Sequence, residues 1–170
     1  MGGDCVTFAS QCIWYGLGGV DDYSSIYNLD WPMINVNTNT SRNWYQKGTV
    51  CTSDGAHAWI ASDALKANVV SGGYHIDGLN GYSYSGVASA SVGDIIQVDG
   101  NGDNVYDHSY VVVSVTGVIG SRTISDITVC CHTPDRSNTL LNTALYYDFG
   151  NSWSSLRTVH ITNSWRYPSV

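Results

Sequence analysis

The residues able to do chemistry in this chain are a cysteine near its start and a few histidines, and their spacing decides what that chemistry is. Cys5 follows Gly2-Gly3-Asp4, and Cys5, Phe8, Ala9, Cys12 and Ile13 recur at i, i+3, i+4, i+7 and i+8, which makes one apolar stripe of a helix. The spacing predicts a helix over 5–17, with Asp4 as its N-cap and Gly16, Gly18 and Gly19 as its stop. Cys5 then occupies the first turn, where unpaired N–H groups and the helix dipole favour an anion, so a stabilised thiolate is expected. A sulfur nucleophile needs a base to take its proton and a third group to orient that base. His108 opens the β-forming run "HSYVVVSVTG", and His132 ends "DITVCCHT". Pairing of 108–116 with 125–132 as a hairpin across "GVIGSR" would set these two histidines side by side.

Each of these residues also has a plainer reading. A buried cysteine on an apolar stripe is by itself more often a small hydrophobe. The cap, the dipole and the later histidine together weigh towards a nucleophile at Cys5. Cys12 reads as core, and Cys51, Cys130 and Cys131 as packing; with an odd number of cysteines, at least one thiol stays unpaired. His57, His75 and His160 receive no chemistry.

The elements that must position these groups follow from pattern. A second helix is expected over 56–70, with strands at 93–98, 108–117 and 126–133. A short helix near 137–145 and a last strand around 156–165 complete the reading. Residues 20–55 read as irregular and 71–91 as turn-rich. Helices first and antiparallel strands after them make an α+β domain, and 170 residues suit a single one, taken as 1–170. The net charge of −7, with no Lys/Arg cluster, makes nucleic acid a poor partner. No apolar run approaches the roughly 18 residues of a membrane span, so no membrane partner is expected. No signal peptide is read.

One loop carries oxygen side chains at alternate positions. In "DGNGDNVYD", Asp99, Asn101, Asp103 and Asp107 follow the opening of a D-x-N-x-D calcium loop. Asn104 stands where glycine is usual, and Tyr110 where a bidentate Glu belongs. The alternatives are a structural calcium site that fixes the base at His108 and an ordinary polar hairpin loop. No other cofactor is expected.

In this order, "GGDCVTFASQC", "GDIIQV…DGNGDNVYDHSYVVV" and "CCHTPDRSNTL", with "RNWY" as a weaker marker, resemble the putative amidase domain family. That family is similar to the NlpC-type and CHAP cysteine peptidases of bacterial cell walls and, more distantly, to papain. The resemblance implies a papain-like, NlpC-type fold, with the Cys5 helix packed on an antiparallel sheet. It implies Cys5 as nucleophile, His108 as general base and a third polar residue on the next strand, which His132 matches best. Asp135 and Asn163 are alternatives for that third member; Asn163 lies in "ITNSW", similar to the Asn-Ser-Trp of papain.

The expected function is thiol-dependent cleavage of an amide bond in cell-wall peptide, by a peptidoglycan amidase or endopeptidase. The partner is then bacterial peptidoglycan peptide and the protein a monomer. It would be secreted or wall-associated, or a phage lysis protein, an expectation that rests on the substrate class. Competing readings are a binding module that recognises the wall without cleaving it and an effector acting on a protein.

Overall fold

The computed structural model describes residues 4–16, 61–70 and 79–164, with only the backbone of Trp14, Tyr15, Asn163 and Ser164. The irregular segment 20–55, the start of the second helix at 56–60, and Cys51, His57 and His75 lie outside the described residues, as does the Gly18-Gly19 stop. The first helix, α1, spans Asp4–Gly16 and the second, α2, Ser62–Val70. The strands are β1 (Leu79–Ser85), β2 (Ile95–Asp99), β3 (His108–Val115), β4 (Ile127–Cys131), β5 (Arg136–Leu140) and β6 (Ser155–Ser164), with α3 (Leu141–Phe149) before β6. The described residues thus form an α+β fold of three helices and one six-stranded antiparallel sheet ordered β1-β6-β2-β3-β4-β5.

The expected hairpin is present: Val111 pairs with Cys130 and Val115 with Ile127, with a bulge between Val112 and Ser114. Two expectations need correction. The "GYSYSG" region is not only turns, because Leu79–Ser85 pairs with β6 from Ser164 to Arg157. Its Tyr82-x-Tyr84 alternation is a period-two signal that its Ser and Gly content obscures. The short helix expected at 137–145 divides in two. Arg136–Leu140 extends along the free edge of β4 as β5, and the helix starts only at Leu141, where Leu141, Ala144 and Leu145 form a buried stripe.

Strand alternation gives the sheet two apolar layers. On one side α1 and α2 bring Cys5, Val6, Ala9, Ile13, Leu65 and Val69 onto Ile95, Val111 and Val159. On the other side α3 brings Leu141, Ala144 and Leu145 onto Ile96, Tyr110, Val112 and Val129. All five residues of β2 are buried, as a strand covered on both faces must be.

Candidate active site

Cys5 is 1% exposed, in the first turn of α1. Its sulfur accepts hydrogen bonds from backbone N–H groups of Ser109, Val6 and Cys5 itself. Two of these donors belong to the open helix end and the third to the second residue of β3. Burial nevertheless outweighs them and pushes the thiol above its ordinary value, with the Asp4 carboxylate acting in the same direction. The lowered thiol expected from the helix end alone is therefore corrected: the amides are present, but desolvation wins.

Ser109 is itself fixed from behind. Its hydroxyl lies 3.0 Å from that of Ser62 at the start of α2. Gln97 Nε2 donates to the Ser62 carbonyl at 2.8 Å, and Arg157 donates to Gln97 Oε1 at 2.7 Å and to Asp63 at 2.6 Å. This network couples β2, β3, β6 and α2 directly behind the amide that faces the sulfur.

His108 opens β3 as the sequence predicts. It has the same strand parity as Tyr110, so its ring belongs to the α3 side of the sheet. There it meets Tyr110 edge-on at 4.5 Å and Phe149 at 6.0 Å between centroids. Cys5 and His108 therefore lie on opposite faces of β3: the sulfur meets the Ser109 amide from the α1 side, whereas the imidazole of the preceding residue packs on the α3 side. The ring is 8% exposed, and its Nε2 is buried with no hydrogen-bond partner. Burial lowers the imidazole to about 4; the nearby Asp148 carboxylate opposes that and Arg136 adds to it. The ring is neutral at pH 7, as a general base must be.

His132 is directed elsewhere. Its Nδ1 contacts the Asp4 carboxylate, its Nε2 lies 2.9 Å from Asp135, and its ring stacks on Phe8 at 6.1 Å. It ties the end of β4 to the start of α1 and steadies the Cys5 turn. Both ring nitrogens are engaged by carboxylates, and Asp135 has its partner in His132. The β3–β4 ladder ends at Val111 and Cys130, so the expected side-by-side placement of the two histidines is not reached. Asn163 pairs with Asn80 on β1. Leu156, the β6 residue level with Val98 and His108, is seven positions away, about 23 Å along a strand.

The carboxylate that does stand by His108 is Asp148, near the end of α3. His108, Cys131 and Asp148 each bring one donor atom within 4.8 Å of the others, the one such group of His, Cys, Asp or Glu among the described residues. Asp148 accepts from Tyr110 Oη at 2.5 Å and from Arg136 Nε at 3.1 Å, with Arg136 Nη2 closing a bidentate pair. Burial pushes this carboxyl up, but the Arg136 and Tyr110 hydrogen bonds outweigh it and hold the group below its ordinary value. Sequence reading missed Asp148 because the helix was expected to stop at 145. The signal was available in "ALYYDFG", a single acid within an aromatic run. A cleft of about 400 Å³ opens here between Asp107, His108, Thr133, Pro134, Tyr147, Asp148 and Phe149.

The acidic loop shapes itself. Asp99 Oδ1 accepts from the Asn101 and Gly102 amides and its Oδ2 from Asn104, while Asp103 Oδ1 accepts from Val105. Asn101 Oδ1 accepts from the Asp103 amide, and Asp107 Oδ2 from Gly100 at 3.4 Å. These hydrogen bonds, in the manner of Asx turns, hold the loop in shape by its own amides.

The described residues thus form an α+β domain in which His108, Cys131 and Asp148 lie close together and His108 and Asp148 line an open cleft. The chain belongs to the family described as "Putative amidase domain", whose profile matches residues 1–156. That membership points to amide-bond hydrolysis. No curated protein and no solved structure matches the chain.

Proposed function

We propose that the protein is a thiol-dependent amidase of papain-like, NlpC type, with Cys5 as nucleophile, His108 as general base and Asp148 as the group that orients the base. The observation that carries this is the Cys5 sulfur held at the open end of α1 against the Ser109 amide, one residue along β3 from His108. In the reaction, Cys5 attacks the amide carbon as its proton passes to His108 Nε2. The imidazolium returns that proton to the leaving amine, and water then cleaves the thioester. At rest the thiol is protonated and the imidazole neutral, so the proton transfer belongs to the attack itself. Because ring and sulfur lie on opposite faces of β3, they act together only across the rim where His108 opens the strand, and the substrate complex must close that gap, since catalytic hydrogen bonds often form only there. The amides around Cys5 supply donors for the developing oxyanion.

The bond chosen is an amide of bacterial cell-wall peptide, met by a secreted or wall-associated protein acting as a monomer. This choice rests on the family resemblance. The test is a digest of purified peptidoglycan analysed by mass. Cys5→Ala should abolish release of new amine ends while leaving the melting curve within a degree or two. Hydrolysis that survives the substitution removes Cys5 from the mechanism. The near-complete burial of Cys5 favours one second reading, a module that binds wall peptide without cleaving it. Binding of the wild type to peptidoglycan with no product after long incubation would select it.

A further inference from the structure

The geometry points to a divalent-metal site of the Zn²⁺ class formed by His108, Cys131 and Asp148. The three come from separate elements: His108 opens β3, Cys131 ends β4, and Asp148 lies in the last turn of α3. Their donor atoms already lie within 4.8 Å of one another. Zinc bonds of about 2.0–2.3 Å set tetrahedral ligands roughly 3.3–3.8 Å apart, so closure requires a contraction of at most about 1.5 Å. Side-chain torsions at the ends of three elements can supply that movement.

A second observation is independent of that clustering. His108 is more than nine-tenths buried, yet its Nε2 has no hydrogen-bond partner. Buried polar atoms without a partner are rare and costly, and a ligand is one way to satisfy them. The cleft on the outer side is lined by His108 and Asp148 and admits water to a fourth position.

The donor set selects the ion. A thiolate with an imidazole and a single carboxylate suits zinc or cobalt, whereas calcium and magnesium require oxygen ligands throughout. Cys131 carries a free thiol that now donates to the Pro134 carbonyl at 3.2 Å. On binding, its S–H bond breaks, the proton leaves to solvent and a metal–sulfur bond forms. No change of oxidation state is involved. Asp148 uses both oxygens on Arg136 and Tyr110, but a carboxylate has about four lone-pair directions, so one remains for a metal. Because His108 is the base of the reaction proposed above, a bound ion would also arrest hydrolysis. That consequence rests on the proposed reaction, whereas the binding itself does not.

The test is titration of the purified wild-type protein, stripped of metal, with Co²⁺ followed by absorbance. The expected result is one equivalent bound, with the near-ultraviolet charge-transfer band of a single cobalt–thiolate bond. Cys5→Ala should keep the band, whereas Cys131→Ser should lose it with at least a tenfold loss of affinity. A band that survives in Cys131→Ser, disappears in Cys5→Ala, or never forms in the wild type overturns the site. X-ray absorption on the zinc-loaded wild type needs no variant and stands if Cys131→Ser fails to fold. One sulfur among nitrogen and oxygen ligands supports the assignment, and two sulfurs or none refutes it. None of these readouts is hydrolysis, so an inactive protein that binds Co²⁺ through Cys131 upholds the site and sinks only the amidase reading.

Discussion

At the scale of single residues, burial decides how the two reactive groups stand. Cys5 is held above the ordinary thiol range in spite of three amide donors, with desolvation as the largest influence. Iodoacetamide at pH 6 should therefore alkylate Cys5 more slowly than free cysteine, and a faster reaction would show that the amides prevail. His108 has the opposite signature, since burial lowers it from 6.5 to about 4. Between those two values the unfolded chain binds a proton that the folded chain refuses, so stability falls as pH drops from about 6.5 towards 4. A shift of that size corresponds to at most about 3 kcal/mol. Melting temperatures of the wild type from pH 7 to pH 4.5 should fall steeply, and those of His108→Gln should fall less. Parallel slopes would show that the ring is solvated in solution.

At the scale of elements, the site depends on fastenings between secondary structures. Arg136 on β5 grips Asp148 on α3 through a bidentate pair, and Tyr110 on β3 completes the carboxylate's shell. Arg136→Met leaves a mostly buried carboxylate with only the Tyr110 donor. The loss should be about 3 kcal/mol, read by denaturant unfolding at pH 7. A change below half a kcal/mol would mean that water takes over the role of the guanidinium. The acidic loop makes a parallel case. Asp99→Ala removes the acceptor for three backbone amides and should lower the melting temperature, whereas added Ca²⁺ should leave the wild-type value unchanged. A calcium-dependent rise would restore the ion to the account of this loop.

The elements differ in how well the sequence discloses them. The α1 stripe, the Asp4 start and the run beginning at His108 are periodic over enough residues to be read directly, and the β3–β4 hairpin follows from its turn. β5 is legible only with β4 in place, because "RSNTL" gains its strand from an unpaired neighbouring edge and not from its own pattern. The same limit hides Asp148. Its part in the site comes from Tyr110 and Arg136, which are 38 and 12 residues away, and no local signal encodes such a meeting. His132 shows the converse. Its position at the end of β4 was legible, but the direction of its ring is set by Asp4, 128 residues earlier.

At the scale of the whole molecule, the sheet separates two apolar layers, and the proposed chemistry lies where that separation ends. Cys5 belongs to the layer of α1 and α2, and the His108 ring to the layer of α3. They can share a substrate only at the rim of the sheet where β3 begins, because β2 and β3 wall off one layer from the other further along. The cleft opens at this rim, between the Thr133-Pro134 turn and the end of α3. On its wall Tyr147 is 68% exposed, and the guanidinium of Arg136 lies 5.4 Å from its ring. An exposed aromatic ring beside a cleft offers a flat surface to a peptide chain at little cost in stability. Loss of such a stacking surface is worth about 0.5–1.5 kcal/mol, or roughly a two- to tenfold rise in KM. Tyr147→Ala should therefore raise KM for a soluble wall-peptide substrate, with kcat and melting temperature nearly constant. Tyr146→Ala serves as the control, because Tyr146 is comparably exposed (61%) and does not line the cleft. Equal effects from the two substitutions, or none from Tyr147, would mean that substrate reaches the sulfur from the α1 side, and the cleft would then have no part in binding.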